Sequence, residues 1–358
     1  MKLRLSLTLL FAFLAAVLLN AANTPQTILL VLAKTDQTLS VVDPATLSVL
    51  ATVPSGPDPH EVIASEDGKF AYISNYGGGS FNTITPVDLV HQKALPVIDL
   101  GALRGPHGLT FVGGKLWFTA EGAKVVGRYD PVTNTIDWVM GTGQDRTHMV
   151  YVFADQNRIV TSNVSSATMT FIEKSTAPPP GFGPSPAGPP PGGPGAPNGP
   201  GGPGGPARAN WSETVIPVGK GAEGFDVAPD GKEIWAANAQ DGTISIIDVA
   251  SKKVTQTLDA DVGGANRLKF TLDGRLVLVS SLRGPDLAVF DAASRKSVKR
   301  VKIGHGAAGI LMQPDGVRAF VACSPDDYVA VIDLKALEMT GKIAAGKQPD
   351  GLAWAVRQ

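Results

Sequence analysis

The sequence predicts an all-β fold, a seven-bladed β-propeller closed by its own C-terminal strand. Three observations carry that prediction. An acidic residue ends a short alternating segment seven times, at Asp43, Asp88, Asp130, Glu173, Asp248, Asp291 and Asp333, at intervals of 42 to 45 residues except for one of 75. Asp-Gly pairs keep the same beat at Asp67-Gly68, Asp230-Gly231, Asp273-Gly274 and Asp315-Gly316. The first repeat begins directly at "TILLVLAKTDQTLSVVD", without an innermost strand, whereas the final "KQPDGLAWAVRQ" is a strand with nothing after it. Four short β segments per repeat at this period make a propeller blade. Lending the last strand to the first blade joins the ring and removes the open edges that invite aggregation.

The elements follow in chain order. Lys2 and Arg4 precede the apolar "LSLTLLFAFLAAVLL", and small residues stand at Ala21 and Ala22. This is the pattern of a signal peptide over 1–22, too short for a membrane span, with an uncleaved anchor as the alternative. A bacterial periplasmic or secreted location is expected, with no transmembrane domain once the signal is removed. Residues 23–358 then form a single propeller, expected to be a monomer. Residues 177–206 hold 13 prolines and 11 glycines, a composition with almost nothing to bury. They predict a disordered insertion over 175–210 inside blade four, since the repeat resumes in phase at "WSETVIPVG". Cys323 is the only cysteine, so no internal disulfide is possible, and its place in "RAFVACS" predicts a small core residue.

Three stretches, "DGKFAYISN", "DGKEIWAANAQDGTISIIDVASKKV" and "PDGVRAFVACSPDDYVAVIDL", resemble the YVTN repeat family, to which YncE-like proteins belong. The resemblance runs through 27–358 apart from the insertion. It implies the propeller fold and no particular activity, because such scaffolds host many functions.

A propeller turns the first residues of each innermost strand toward its axis. Counting seven residues back from the aspartate of each turn gives His60, His148, Glu223, Asn266 and Ala308. Blade three, with a strand one residue shorter, gives His107, and the closing strand gives Asp350. Three of the chain's five histidines therefore fall on one ring. His60, His107, His148, Glu223, Asn266 and Asp350 are the expected ligand-binding residues. Within them His60, His107, His148 and Glu223 have the donor types to hold a divalent metal ion of the zinc, copper or iron kind. The plainer reading is that the imidazoles bond neighbouring backbone and line a watery channel. No other cofactor is indicated.

The expected function is a module that binds a small molecule or a protein partner on this face. The alternative is a metal-dependent enzyme, lyase- or hydrolase-like, with a His/Glu site in the channel. "PHGLTFVGGKLWFTAEGAKVVGRYDP" resembles one blade of the streptogramin B lyases, which are seven-bladed and magnesium-dependent. It departs at Glu121, which follows an inserted alanine, and the ring positions matching that family's working His and Glu hold Asn266 and Ala308. No catalytic residue is carried over.

Loops between second and third strands open on the ring face and offer Glu121, Lys124, Asp241, Arg283 and Asp327 as wall residues. Arg146 and Arg267 flank the ring and suit an anionic ligand. His305 is expected at the rim and His91 on the surface. The net charge is -1. The one basic run, "RKSVKRVK", reads as a solvated outer strand and argues against a nucleic-acid partner. Neither a P-loop nor a nucleophile elbow is present.

Overall fold

Seven antiparallel sheets stand around a common axis in the computed structural model, which describes residues 25–175 and 210–357. The predicted signal peptide lies outside the described residues, as does the predicted insertion except for its ends, Ser175 and Asn210. The seven predicted acids all terminate third strands, from Thr38–Asp43 in the first blade to Tyr328–Asp333 in the seventh, except that the Thr168–Ser175 strand runs on past Glu173. Their role is local. Asp43, Asp130 and Asp333 accept backbone N–H bonds from Ala45, Val132 and Lys335 with a carboxylate oxygen, which starts the turn into the outer strand.

The Asp-Gly turns work in the same way between first and second strands. Asp67, Asp230, Asp273 and Asp315 accept the amide two residues on. The glycine after each takes a φ of 67° to 73°, which disfavours any side chain.

Closure is as predicted. The strand Pro349–Val356 pairs antiparallel with Thr27–Ala33 and supplies the first blade with its innermost strand. The apolar layers lie between neighbouring blades. Trp235 packs edge-on to Phe270 from the next blade, and Phe320 to Trp354 across the closure. Cys323 ends the strand Arg318–Cys323 fully buried, and burial pushes its thiol up to about 12, so it is a core residue.

Blade two departs from the pattern. Its outer edge is split into Lys93–Ala94 and Ile98–Asp99, with Pro96 between them. Proline has no amide to donate to a ladder. Among the described residues no helix is long and apolar enough to cross a membrane.

Candidate functional site

Each innermost strand contributes its second residue to one place. His60 is second in Pro59–Ala64, His107 in Pro106–Val112, His148 in Thr147–Val152 and Glu223 in Ala222–Val227. Asn266, Ala308 and Asp350 are second in Ala265–Phe270, Ala307–Met312 and Pro349–Val356. All seven line a single cavity of about 340 Å³ at the channel mouth. Lys34, Tyr76, Arg146 and Arg267 join its polar wall, and Leu282 and Pro325 its apolar one.

A repeated hydroxyl holds the ring in place. The fifth residue of the second strand is Ser74, Thr119, Ser162 or Ser280 in four blades. Thr119, Ser162 and Ser280 donate to the carbonyls of His148, Glu223 and Ala308, the ring residues of the following blade. Ser74 accepts the Glu61 amide. The residue after the ring position is glycine in four blades for a steric reason. A Cβ at Gly108, Gly224, Gly309 or Gly351 would lie 2.4 to 2.5 Å from the carbonyl oxygen of the next ring residue.

The other three blades have Glu61, Met149 and Arg267 at this position, and the two charged residues meet. Arg267 of blade six reaches Glu61 of blade two and forms an ion pair with it, both side chains being largely buried. The pair ties two non-adjacent innermost strands together next to the cavity. Its neighbour Asn266 accepts a further bond from Arg267 at 3.3 Å.

His148 is the electrostatic centre. Its Nδ1 is hydrogen-bonded to Glu121 Oε1, and its Nε2 lies 2.9 Å from Glu223 Oε2, out of line for a hydrogen bond. Burial opposes charge on this ring, but the Glu121 bond and the Glu223 carboxylate outweigh it and raise the pKa. Glu223 is correspondingly lowered to about 2, since its contacts with His148 and the nearby Arg267 and Arg146 overcome its desolvation.

His107 is the opposite case. Its ring centroid is 3.8 Å from that of His148, it is buried, and its Nδ1 has no hydrogen-bond partner among the described residues. Burial, then the charge of His148, holds its pKa far below the usual value, so the ring is neutral. His60 is also neutral, its pKa lowered to about 4 by burial and by Lys34. It lies 3.6 Å from Asp350 Oδ2 and 3.2 Å from Asp58 Oδ1. Asp350 is itself raised by burial and sits 3.3 Å from Lys34 Nζ.

The structure thus brings every predicted ring residue together, but the tightest donor set is different from the predicted one. His107, Glu121 and His148 each place a donor atom within 4.8 Å of the other two, whereas His60 and Glu223 stand outside that set. Glu121 comes from the short turn Glu121–Ala123 after the second strand of blade three, and it is buried. Of the other wall candidates, Asp327 accepts the Gln348 amide at 2.8 Å and Lys124 pairs with Asp145 on the outside. His305 and His91 are exposed, beside Asp326 and Asp88.

Sequence reasoning missed Glu61 and Tyr76. Glu61 was detectable as a charge where other blades have glycine. Tyr76 Oη donates to Glu121 Oε2 at 2.5 Å, a pairing that joins two blades and leaves no local trace.

A larger, mostly apolar groove of about 680 Å³ lies on the opposite face between blades two and three, against Phe70, Tyr72, Phe111 and Tyr129. It has no convergent set of buried polar groups, so the channel mouth is the better candidate.

Residues 206–318 match the family model of the YNCE-like beta-propeller. No curated protein matches the chain. Among solved structures, a functionally unknown protein from Desulfotomaculum acetoxidans is 12% identical, with a TM-score of 0.70 over 92% of this chain and 99% of that one. A putative 6-phosphogluconolactonase from Bacteroides fragilis is 14% identical, with a TM-score of 0.66 over 93% and 99%. The hydrazine synthase of Kuenenia stuttgartiensis is 15% identical, with a TM-score of 0.62 over 82% and 89%. At these identities the likeness is one of fold.

Proposed function

We propose that this YncE-like propeller is a binding module, and that the channel mouth receives a small polar ligand. One observation carries the reading: seven equivalent positions, one per blade, converge on a single cavity and six of them are polar. A volume of about 340 Å³ is at the lower end for small-molecule pockets. The wall is mixed. The three histidines, Arg146 and Glu223 lie on the side of blades two to five, and Arg267 and Asn266 of blade six with Lys34 and Asp350 of blade one extend this polar wall. Leu282, Ala308 and Pro325 of blades six and seven form an apolar patch within it. That contrast suits a molecule with a charged or hydrogen-bonding head and a short apolar end.

Charges of both signs are already paired across the site, as Lys34–Asp350 and Arg267–Glu61 are. The ligand therefore replaces existing contacts more than it neutralises a bare charge. The sequence pattern over 1–22 supports export, so we place this binding outside the cytoplasm; N-terminal sequencing of protein recovered from the periplasm or medium tests it by revealing a cut near Ala22.

Binding is tested by thermal unfolding of the full chain against a panel of small carboxylates, amines and sugars. A ligand present at 100 times its Kd stabilises by about 2.7 kcal/mol. The expected result is protection of the native protein that disappears in His60→Ala and Asp350→Asn while the ligand-free melting point changes little. Protection that survives both substitutions would place the ligand elsewhere and remove the proposal.

A further inference from the structure

We infer that His107, His148 and Glu121 form a site for one divalent transition ion of the zinc class. This rests on the reading of the channel mouth as the functional site and names a ligand that the site would take. The first argument is convergence. The three side chains come from two blades, all are buried, and their donor atoms lie within 4.8 Å of one another. Donors around tetrahedral zinc stand at about 2.0–2.2 Å from the metal and hence about 3.3 Å apart. The approach needed is therefore short, and the His107 and His148 rings, tilted by 35° with centroids 3.8 Å apart, must splay to make it.

The second argument is the unused donor. His107 Nδ1 is buried without a partner among the described residues, although buried polar atoms are nearly always satisfied. A lone pair held in that state is available to a cation. The third argument is the surroundings. His148 Nδ1 and Glu121 Oε1 now share a proton that an ion can replace, and the opposite nitrogen, Nε2, faces the Glu223 carboxylate at 2.9 Å. Tyr76 donates to the remaining Glu121 oxygen, and Arg146 Nε lies 3.5 Å from it. Metal sites use such outer partners to fix the orientation of their ligands. Two imidazoles with one carboxylate favour zinc, cobalt or copper over calcium or magnesium. His107 and His148 line the cavity, and a set of three protein donors leaves a fourth position for water or for the head of a bound molecule.

The test uses the full chain stripped with a chelator and then titrated with zinc alone, with cobalt(II) as a coloured substitute. We expect one zinc per chain and the strong visible absorption of tetrahedral cobalt. His107→Ala and Glu121→Gln should each weaken zinc binding by at least about 100-fold, whereas His305→Ala and His91→Ala, which remove exposed histidines, should leave it within about twofold. Glu121→Gln keeps the size of the side chain, and the cobalt spectrum of the native protein does not depend on any variant folding. Absence of zinc binding by the native chain, or affinity unchanged in both site variants, overturns the inference. If stripped protein still gains thermal protection from an organic ligand, the binding module stands and only the metal falls.

Discussion

The ring has two unlike halves. Blades two, three and four present His60, His107 and His148, while blades six and seven present Asn266 and Ala308 at the same backbone position. The supports are common to both. A strand hydroxyl binds the next ring carbonyl from Thr119 in one half and from Ser280 in the other. A glycine admits that carbonyl at Gly108 in one and at Gly309 in the other. Geometry is thus a property of the repeat, and chemistry depends on one side chain per blade. The histidine half adds what the other half lacks: carboxylates from loops and neighbours, Glu121 and Glu223, that fix the charge state of His148.

The comparison breaks first at the tie between the halves. Glu61→Ala leaves Arg267 buried without its partner and should cost about 3–5 kcal/mol in urea unfolding. The double replacement Glu61→Leu with Arg267→Met should recover most of that loss. A double variant as unstable as the single one would show that packing, not charge, sets the cost. Next come the glycines. Gly309→Ala and Gly108→Ala should each destabilise by about 1–3 kcal/mol, because a new Cβ meets a backbone oxygen in either half. Unequal losses would mean that the two halves are not built alike.

Thr119→Val should cost about 1–2 kcal/mol, since the His148 carbonyl loses its donor in a buried place. Ser280→Ala, which does the same to Ala308, should cost a similar amount, and only the first should weaken zinc binding. The smallest effect is expected at the ring itself. Ala308→Asn copies the neighbouring blade into the cavity wall and should change stability by less than about 0.5 kcal/mol.

The fold was readable because its signals are local and repeated. Asp43 and the five other closing aspartates, and the four Asp-Gly turns, each need only their own few residues to make a bond or a left-handed φ. The ring was readable for the same reason, as every member is second in its strand. Glu121 was visible only as one loop acid among several, and nothing near it in sequence shows that it meets His148 and Tyr76. The split edge of blade two was hidden as well, although Pro96 is its marker. Contacts between blades depend on the angle at which the sheets stand, and no single repeat encodes that angle.

The closing strand also sets a timetable. Gln26 bonds the carbonyl of Arg357, 331 residues further on, and between them Thr27–Ala33 is apolar on both faces. A polypeptide made from its N-terminus holds that segment half-paired until the last residues emerge. Loop entropy rises only slowly with length, by about 0.6 kcal/mol per doubling, so the wait is not prohibitive, but such distant pairing is slow. During that interval the unpaired strand edge is open to capture by a sister molecule, whose own tail offers the same missing strand.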